Sequence, residues 1–321
     1  MVFVKDFRRE FYDVIQHQRI LVLVNYDVDA LCACKILQYL FQCDHVPYTI
    51  VPVAGRQDLL RAYVENCEGL QYVLLINCGA SLDLVEFLQP EDHMIFFICD
   101  SHRPVDVHNL YNQVQVRLLM RQDEMEDVPQ FDEVFRDSED ESIELDQGPA
   151  EHFLTALDLL NRSKTDVLEK GLEAARTQLK AVVTQVQSFL DMHQVISAGP
   201  FLYAFVQEGT ADTKFFSKPI CLQHLARFTL DAYCSISRSK KAPTLPLVLG
   251  APLDTEAGTM LVVGIPPKTD RSLKNCFGKA FEQAASSTNS RTQHDSFTTN
   301  LIELKTEDKS KFFDALISLL Q

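Results

Sequence analysis

Residues 20–30 read Ile20-Leu21-Val22-Leu23-Val24-Asn25-Tyr26-Asp27-Val28-Asp29-Ala30. Five consecutive aliphatic residues without polar alternation predict a strand buried on both faces, as in a parallel sheet covered by helices on each side. The chemistry then turns polar at Asn25, and Val28 to Phe41 carries apolar positions at helical spacing. Strand, acidic turn and helix form the opening unit.

Outward from it the pattern repeats. Tyr48 to Val53 reads as extended and Gln57 to Cys67 as helix, followed by strand Tyr72 to Ile76, helix Leu82 to Leu88, strand Met94 to Cys99 and strand Val114 to Leu119. This alternation predicts the α/β class, with an open, mostly parallel sheet over residues 1–121. Residues 122–148 interrupt it. Asp123 to Asp146 holds twelve acids against Arg136 alone, and Gln147-Gly148-Pro149 follows, a composition expected of a disordered linker. Residues 149–321 alternate again and predict a second α/β domain. Its expected helices are Glu151–Asn161, a long Asp166–Met192, Cys221–Ser235, Cys276–Ser286 and Lys309–Leu320. Its expected strands are Leu202–Val206, Leu245–Leu249, Met260–Ile265 and Phe297–Leu304.

The formal charge of −15 belongs largely to that acidic tract, because residues 149–321 carry 19 basic against 18 acidic side chains. The longest apolar runs are strand-sized, well under the roughly 20 residues of a membrane helix, so no membrane association is expected. The first ten residues include Lys5, Asp6, Arg8, Arg9 and Glu10, where a secretory signal needs an apolar region. Nine cysteines without a C-x-x-C pair fit a reducing compartment, and Cys32 and Cys34, two apart on a helix, point away from each other.

Open α/β sheets bind ligands at the carboxyl ends of their strands, and three such ends carry suggestive groups. Asp27 and Asp29 follow the first strand and offer oxygen ligands to a hard divalent cation. They serve equally as a helix cap and a dipole partner. Ile76-Asn77-Cys78-Gly79 ends the third strand. Cys99-Asp100-Ser101-His102-Arg103-Pro104 ends the fourth, with Asp100 and His102 able to bind a metal or to make structural hydrogen bonds.

Asp27-x-Asp29, Asn77-x-Gly79 and Asp100-Ser101-His102-x-Pro104, in this order, resemble the first three motifs of the DHH phosphoesterases, the superfamily of the exonuclease RecJ. The run from Asp27 to Leu37, with Ser197-Ala198-Gly199-Pro200, Gly264-Ile265-Pro266-Pro267 and Phe277-Gly278-Lys279-Ala280-Phe281, is similar to the eukaryotic branch, the cell division control protein 45 family. The resemblance implies a DHH-type domain followed by a DHHA1-like domain. It also implies a nuclear replication factor, a subunit of the replicative helicase beside the minichromosome maintenance hexamer and the GINS complex, with origin-firing factors and DNA polymerases as further partners.

The departures from that pattern bear on chemistry. Asn77 stands where active DHH enzymes carry a metal-holding aspartate, and Ser101 stands where they carry a histidine. A neutral amide oxygen is a weak substitute for a bridging carboxylate, and two-metal hydrolysis needs full coordination. Asp27, Asp29, Asn77, Asp100 and His102 therefore read as the remnants of a metal site, and the expectation is a non-enzyme without cofactor. An active manganese-dependent phosphoesterase is the competing reading, and an acidic nuclear adaptor unrelated to replication is a third. Family members also carry a long, largely helical central region after the acidic tract. Here Ser138-Glu139-Asp140-Glu141 is followed within about ten residues by Glu151-His152-Phe153-Leu154, so the chain reads as internally shortened.

The DHHA1 resemblance implies nucleic-acid contact in the second half. Arg238, Lys240 and Lys241 form one basic cluster, and Lys268, Arg271, Lys274 and Lys279 form another. Either could track a single-stranded backbone or could be an ordinary solvated face. Phe277 and Phe281, four apart, read as core. Ser138 and Ser142 sit among acids, a context suited to acidophilic kinases.

Overall fold

The computed structural model describes residues 3–103, 105–120, 151–160, 165–210, 212–269, 275–294 and 297–321. They fall into two compact units, the second beginning in earnest at Thr165.

The first unit is built on strands β1 (Ile20–Val24), β2 (Tyr48–Pro52), β3 (Tyr72–Ile76), β4 (Ile95–Cys99) and β5 (Val116–Leu118). All neighbouring pairs are parallel, in the order β2-β1-β3-β4-β5. Every residue of β1 and β3 is buried, as an aliphatic strand between two helical layers must be. Helix α1 (Asp13–Ile15) continues a π-wound turn at Arg8–Tyr12. It brings Phe11 against Phe97, ring centroids 4.8 Å apart, which the sequence reading did not anticipate. Helix α2 (Val28–Cys43) buries Ala30, Cys34, Leu37 and Phe41 on the same side of the sheet. Helices α3 (Arg56–Asn66), α4 (Leu84–Leu88) and α5 (Val107–Tyr111) complete the crossovers.

The expected domain boundary at 148/149 is displaced. Helix α6 (Glu151–Leu159) places Phe153 and Leu157 in the first unit's core, and Phe153 meets Tyr26 edge-on at 5.9 Å. Helical periodicity shows that an apolar face exists but not which core it enters, so the second unit starts at α7 (Thr165–Asp191) instead. The linker at 122–148 lies outside the described residues.

The second unit holds a six-stranded sheet in the order β10-β11-β9-β8-β7-β6. Only β7 (Leu202–Phe205) and β8 (Leu247–Asp254) pair in parallel. β6 (Ile196–Ser197), β9 (Thr259–Ile265), β10 (Thr292–His294) and β11 (Leu301–Lys305) join antiparallel. One face packs Leu249 and Val263 on α7 and α9 (Pro219–Ile236). The other packs Val248 and Val262 on Phe277 and Phe281 of α10 (Phe277–Thr288) and Phe312 of α11 (Lys309–Leu320). A short helix, α8 (Thr213–Phe216), adds Phe216 to the first of these faces.

The two largest departures from the expected strand boundaries lie in the second unit. β8 runs five residues past Leu249, through Gly250 and Pro252, with an irregular register at Pro252/Asp254. Glycine is required at 250, where a Cβ would stand 2.8 Å from both Phe205 and Met260. The strand expected from Phe297 starts only at Leu301. A turn bonds Leu301 N to Thr298 O at 3.0 Å, and Asn300 Nδ2 donates to Gly264 O at 2.8 Å.

Candidate functional site

In the order β2-β1-β3-β4-β5 the chain winds from β1 to one side, then crosses back to β3 on the other. The carboxyl ends of β1 and β3 therefore flank the topological switch point, where this class of sheet opens a crevice. Asp27 follows β1 and Asn77 follows β3, so the topology alone brings the first two sequence motifs face to face.

Asp27 caps α2: its backbone is extended and its Oδ1 accepts from Ala30 N at 2.7 Å. Asn77 is buried and left-handed, at φ +52°, a conformation asparagine tolerates better than most residues. Its Nδ2 donates to both carboxylate oxygens of Asp27, at 3.1 and 3.2 Å. Its Oδ1 accepts from Ser101 N at 3.0 Å and from Ser101 Oγ at 3.1 Å. A backbone N–H can only donate, so the Ser101 amide fixes which end of the Asn77 side chain faces which neighbour. Asn77 and Ser101, the two departures from the enzyme pattern, are thus hydrogen-bonded to each other.

Asp100 has only 2% of its side chain exposed and is fully engaged. Its Oδ1 bonds His102 N at 2.9 Å and His102 Nδ1 at 2.7 Å, and its Oδ2 accepts from Ala80 N at 3.1 Å. Arg103 Nη1 donates to the carbonyls of Asp100 and His102 at 3.0 and 2.8 Å, clamping the loop after β4. Cys78 is wholly buried, donates to Leu23 O, and has its thiol pushed well up by burial and then by Asp100. It stays a protonated thiol at neutral pH, unsuited to nucleophilic or metal chemistry. Asp29 stands apart, exposed in the first turn of α2 beside the helix dipole. Among the described residues, no three His, Cys, Asp or Glu side chains are grouped to hold a metal ion.

Sequence reasoning missed Asn109. It is 1% exposed on α5, donates to the carbonyls of Gly79, Ala80 and Leu82, and accepts from Leu84 N at 3.3 Å. It organises the whole loop that carries Asn77-x-Gly79. Its signal was a single polar residue in a short helix that periodicity did not reveal.

The basic residues of the second unit divide. Arg238, Lys240 and Lys241 are exposed beyond the end of α9. Lys268 Nζ bonds Asp231 of α9 at 2.9 Å, and the Asp231 hydrogen bond holds its ammonium above the usual lysine range. Thr269 donates through N and Oγ to Pro243 O, both at 3.1 Å, so the segment bearing Lys268 lies beside the one bearing Lys241. Lys279 is exposed separately on α10. Arg271, Lys274, Ser138, Ser142 and Pro104 lie outside the described residues. Phe277 and Phe281 are buried against each other, ring centroids 5.3 Å apart, as core residues.

The sequence model of the CDC45 family matches residues 20–148 and 121–319. The human cell division control protein 45 homolog is 30% identical over 565 aligned positions, covering 99% of this chain and all of the human protein. This chain has 321 residues, so a long stretch of the human protein faces no residue here. The two family matches overlap over residues 121–148, the acidic tract. The crystal structure of CDC45 from Entamoeba histolytica superposes with a TM-score of 0.56 at 14% identity, covering 98% of both chains. RecJ from Thermus thermophilus, in complex with Mn2+, superposes with a TM-score of 0.52 at 13% identity, over 96% of this chain and 53% of RecJ. The second unit and the parallel first sheet are thus those of the RecJ-like fold. The side chains at the switch point, as they are oriented, do not present a donor set for a divalent cation. Asn77 turns N–H groups, not lone pairs, toward Asp27 and directs its only lone-pair oxygen to Ser101.

Proposed function

The chain belongs to the CDC45 family, and on that premise we propose that it is a non-catalytic factor of DNA replication initiation that acts in the nucleus through its surfaces. The observation that carries the absence of catalysis is the Asn77 amide held against both oxygens of Asp27. A hydrolytic two-metal centre needs carboxylates that share cations and generate hydroxide, whereas this pair satisfies itself by hydrogen bonding. The proposed partners are the minichromosome maintenance hexamer and GINS, with origin-firing factors and DNA polymerases in the same assembly. Single-stranded DNA is the proposed ligand of the ridge formed by Arg238, Lys240, Lys241 and Lys268. The adjacency of these segments supports that reading, while the Lys268–Asp231 pair leaves fewer free charges for phosphate than the sequence offers.

The test is to express the tagged 321-residue chain in dividing cells and ask whether GINS and the hexamer co-purify with it on chromatin. Recovery supports assembly by these two units. Failure, with the human relative recovered in parallel, overturns the assembly reading. Manganese-dependent cleavage of single-stranded DNA by the purified chain, lost in Asp27→Ala, would establish the phosphoesterase reading in its place.

A further inference from the structure

Phe205 ends β7, and its register partner on β8 is Gly250. Pro252 follows two residues on, facing the same side of the sheet, and pairs with Met260 of β9. The Phe205 ring and the Met260 methyl close over Gly250, where a Cβ would stand 2.8 Å from each. With Pro252 they form the apolar floor of a cavity of about 240 Å³ within the second unit.

Lys309, the first residue of α11, also lines that cavity, and its Nζ stands 3.3 Å from the centre of the Phe205 ring. A ring face attracts a cation but does not neutralise it. The acids beside Lys309 in sequence are engaged elsewhere, Asp308 by Arg291 and Lys311 and Glu307 by Arg291. Among the described residues Lys309 forms no ion pair, and burial pushes its ammonium below the usual lysine range. A half-buried cation over an apolar floor is completed by an anion that carries an apolar neighbour.

The volume is below the roughly 300–1,000 Å³ of pockets that enclose a whole small molecule, so it suits one anchoring side chain of a longer ligand. The rim decides the class. Gln207 and Glu208 stand there, both exposed. A nucleic-acid strand repeats its negative charge at every nucleotide and stacks its bases on open ring faces. Glu208 repels such a backbone, and the Lys309 ammonium already covers the Phe205 face. A peptide brings N–H donors for Gln207 and Glu208 and, on an acidic side chain, a carboxylate for Lys309. We propose that this cavity docks an acidic segment of a partner protein, which lays an apolar side chain over Met260 and Pro252 and sets a neighbouring Asp or Glu carboxylate on Lys309. None of the residues of the proposed DNA ridge lines the cavity. The contact is small, so an isolated peptide binds with a dissociation constant on the order of 0.1 mM.

The test uses the full chain with isotope-labelled methionine methyl groups, in which the Met260 resonance, assigned through Met260→Leu, reports what enters the cavity. The probe is the peptide acetyl-Gly-Phe-Glu-Leu-Gly-amide, titrated to about 2 mM. The Met260 signal should shift and saturate. Glutamine in place of the peptide's glutamate, or Lys309→Gln in the protein, should each weaken binding roughly tenfold, and the two together no further. The peptide change makes this comparison on the native chain, whatever Lys309→Gln does to folding. A carbodiimide should join the Lys309 amine to the peptide's glutamate as an amide. An unmoved Met260 signal, equal binding of the glutamate and glutamine peptides, or a shift produced instead by a thymidine decanucleotide would each overturn the proposal. So would a carbodiimide link from Lys309 to residues 123–146 of the same chain, which would assign the cavity to the acidic tract.

Discussion

The amide nitrogen of Asn77 lies 3.1 and 3.2 Å from the two carboxylate oxygens of Asp27, although 50 residues separate them in sequence. Each belongs to the loop after a central strand, and the strand order places those loops on either side of the switch point. Across the crevice the fold holds a donor, the Asn77 amide, against an acceptor, the Asp27 carboxylate. These hydrogen bonds, with those from Ser101 to the Asn77 oxygen, tie the loops after β1, β3 and β4 together.

Replacing the donor should expose that dependence. In Asn77→Asp two carboxylates face each other at hydrogen-bond distance in a part-buried site, at a cost of about 1–3 kcal/mol for the lost bonds and the repulsion. Thermal melts in EDTA should fall by several degrees, and added Mn2+ should restore much of the loss in the variant while leaving the wild type unmoved. Stabilisation of the wild type by Mn2+ would contradict the closed cluster described here.

Much of this was legible before the structure. β1 and β3 have the bounds read from the aliphatic runs at Ile20–Val24 and Tyr72–Ile76, because continuous burial leaves no other element of that length. Asp27 was legible equally as a cap and as a cation ligand, because strand, acid and helix follow directly, and the hydrogen bond from Ala30 N shows the cap. Asn109 was not, since its role depends on three loop carbonyls that only the fold gathers. Nor was the allegiance of α6, because Phe153 would suit either core. The extension of β8 was hidden by Gly250 and Pro252, residues that weaken a strand reading, and the pairing of Lys268 with Asp231 spans α9 and the segment after β9.

Gly79 should resist substitution more than another left-handed glycine. Its φ is +94°, and a Cβ there would stand 2.7 Å from Leu75 Cδ2 and 3.0 Å from Leu84 Cδ2. Gly69, at φ +70°, has open space around the same position. Gly69→Ala should cost only the backbone penalty of about 1–2 kcal/mol, and Gly79→Ala that penalty plus overpacking of a further 1–3 kcal/mol, roughly. Urea midpoints of the two variants should differ in that order, and equal midpoints would remove the packing argument.

His294 makes the second unit sensitive to mild acid. Burial lowers its pKa from the usual 6.5 to about 4, and its Nε2 has no hydrogen-bond partner among the described residues. The folded state therefore favours the neutral ring, so the stabilisation is complete above about pH 6.5 and is lost as pH falls toward 4, where the unfolded chain takes up the proton first. Between pH 7.5 and pH 5 the loss should be about 2 kcal/mol. His294→Gln should flatten that part of the stability profile, and an unchanged slope in the variant would assign the acid sensitivity elsewhere.

A second acid-sensitive device works at lower pH and is separable from the first. Asp308, buried at the head of α11, accepts from Arg291 through Nε at 3.0 Å and through its backbone N at 3.0 Å, and from Lys311 at 3.1 Å. The Arg291 hydrogen bonds hold its carboxyl well below the usual carboxylate range, with Lys311 adding to the effect. A depressed carboxylate contributes stability that is present above the unfolded value of about 4 and is lost as pH falls below it. Asp308→Asn should melt lower than the wild type at pH 7. The gap should stay constant down to about pH 5 and close progressively below pH 4, because only the wild type then takes up a proton on unfolding. His294→Gln changes the profile above that window and Asp308→Asn within it. Melting curves across pH 3 to 8 for the two variants and their combination should therefore add, and a gap for Asp308→Asn that persists at pH 3 would show that the Arg291 contacts act by geometry and not by charge.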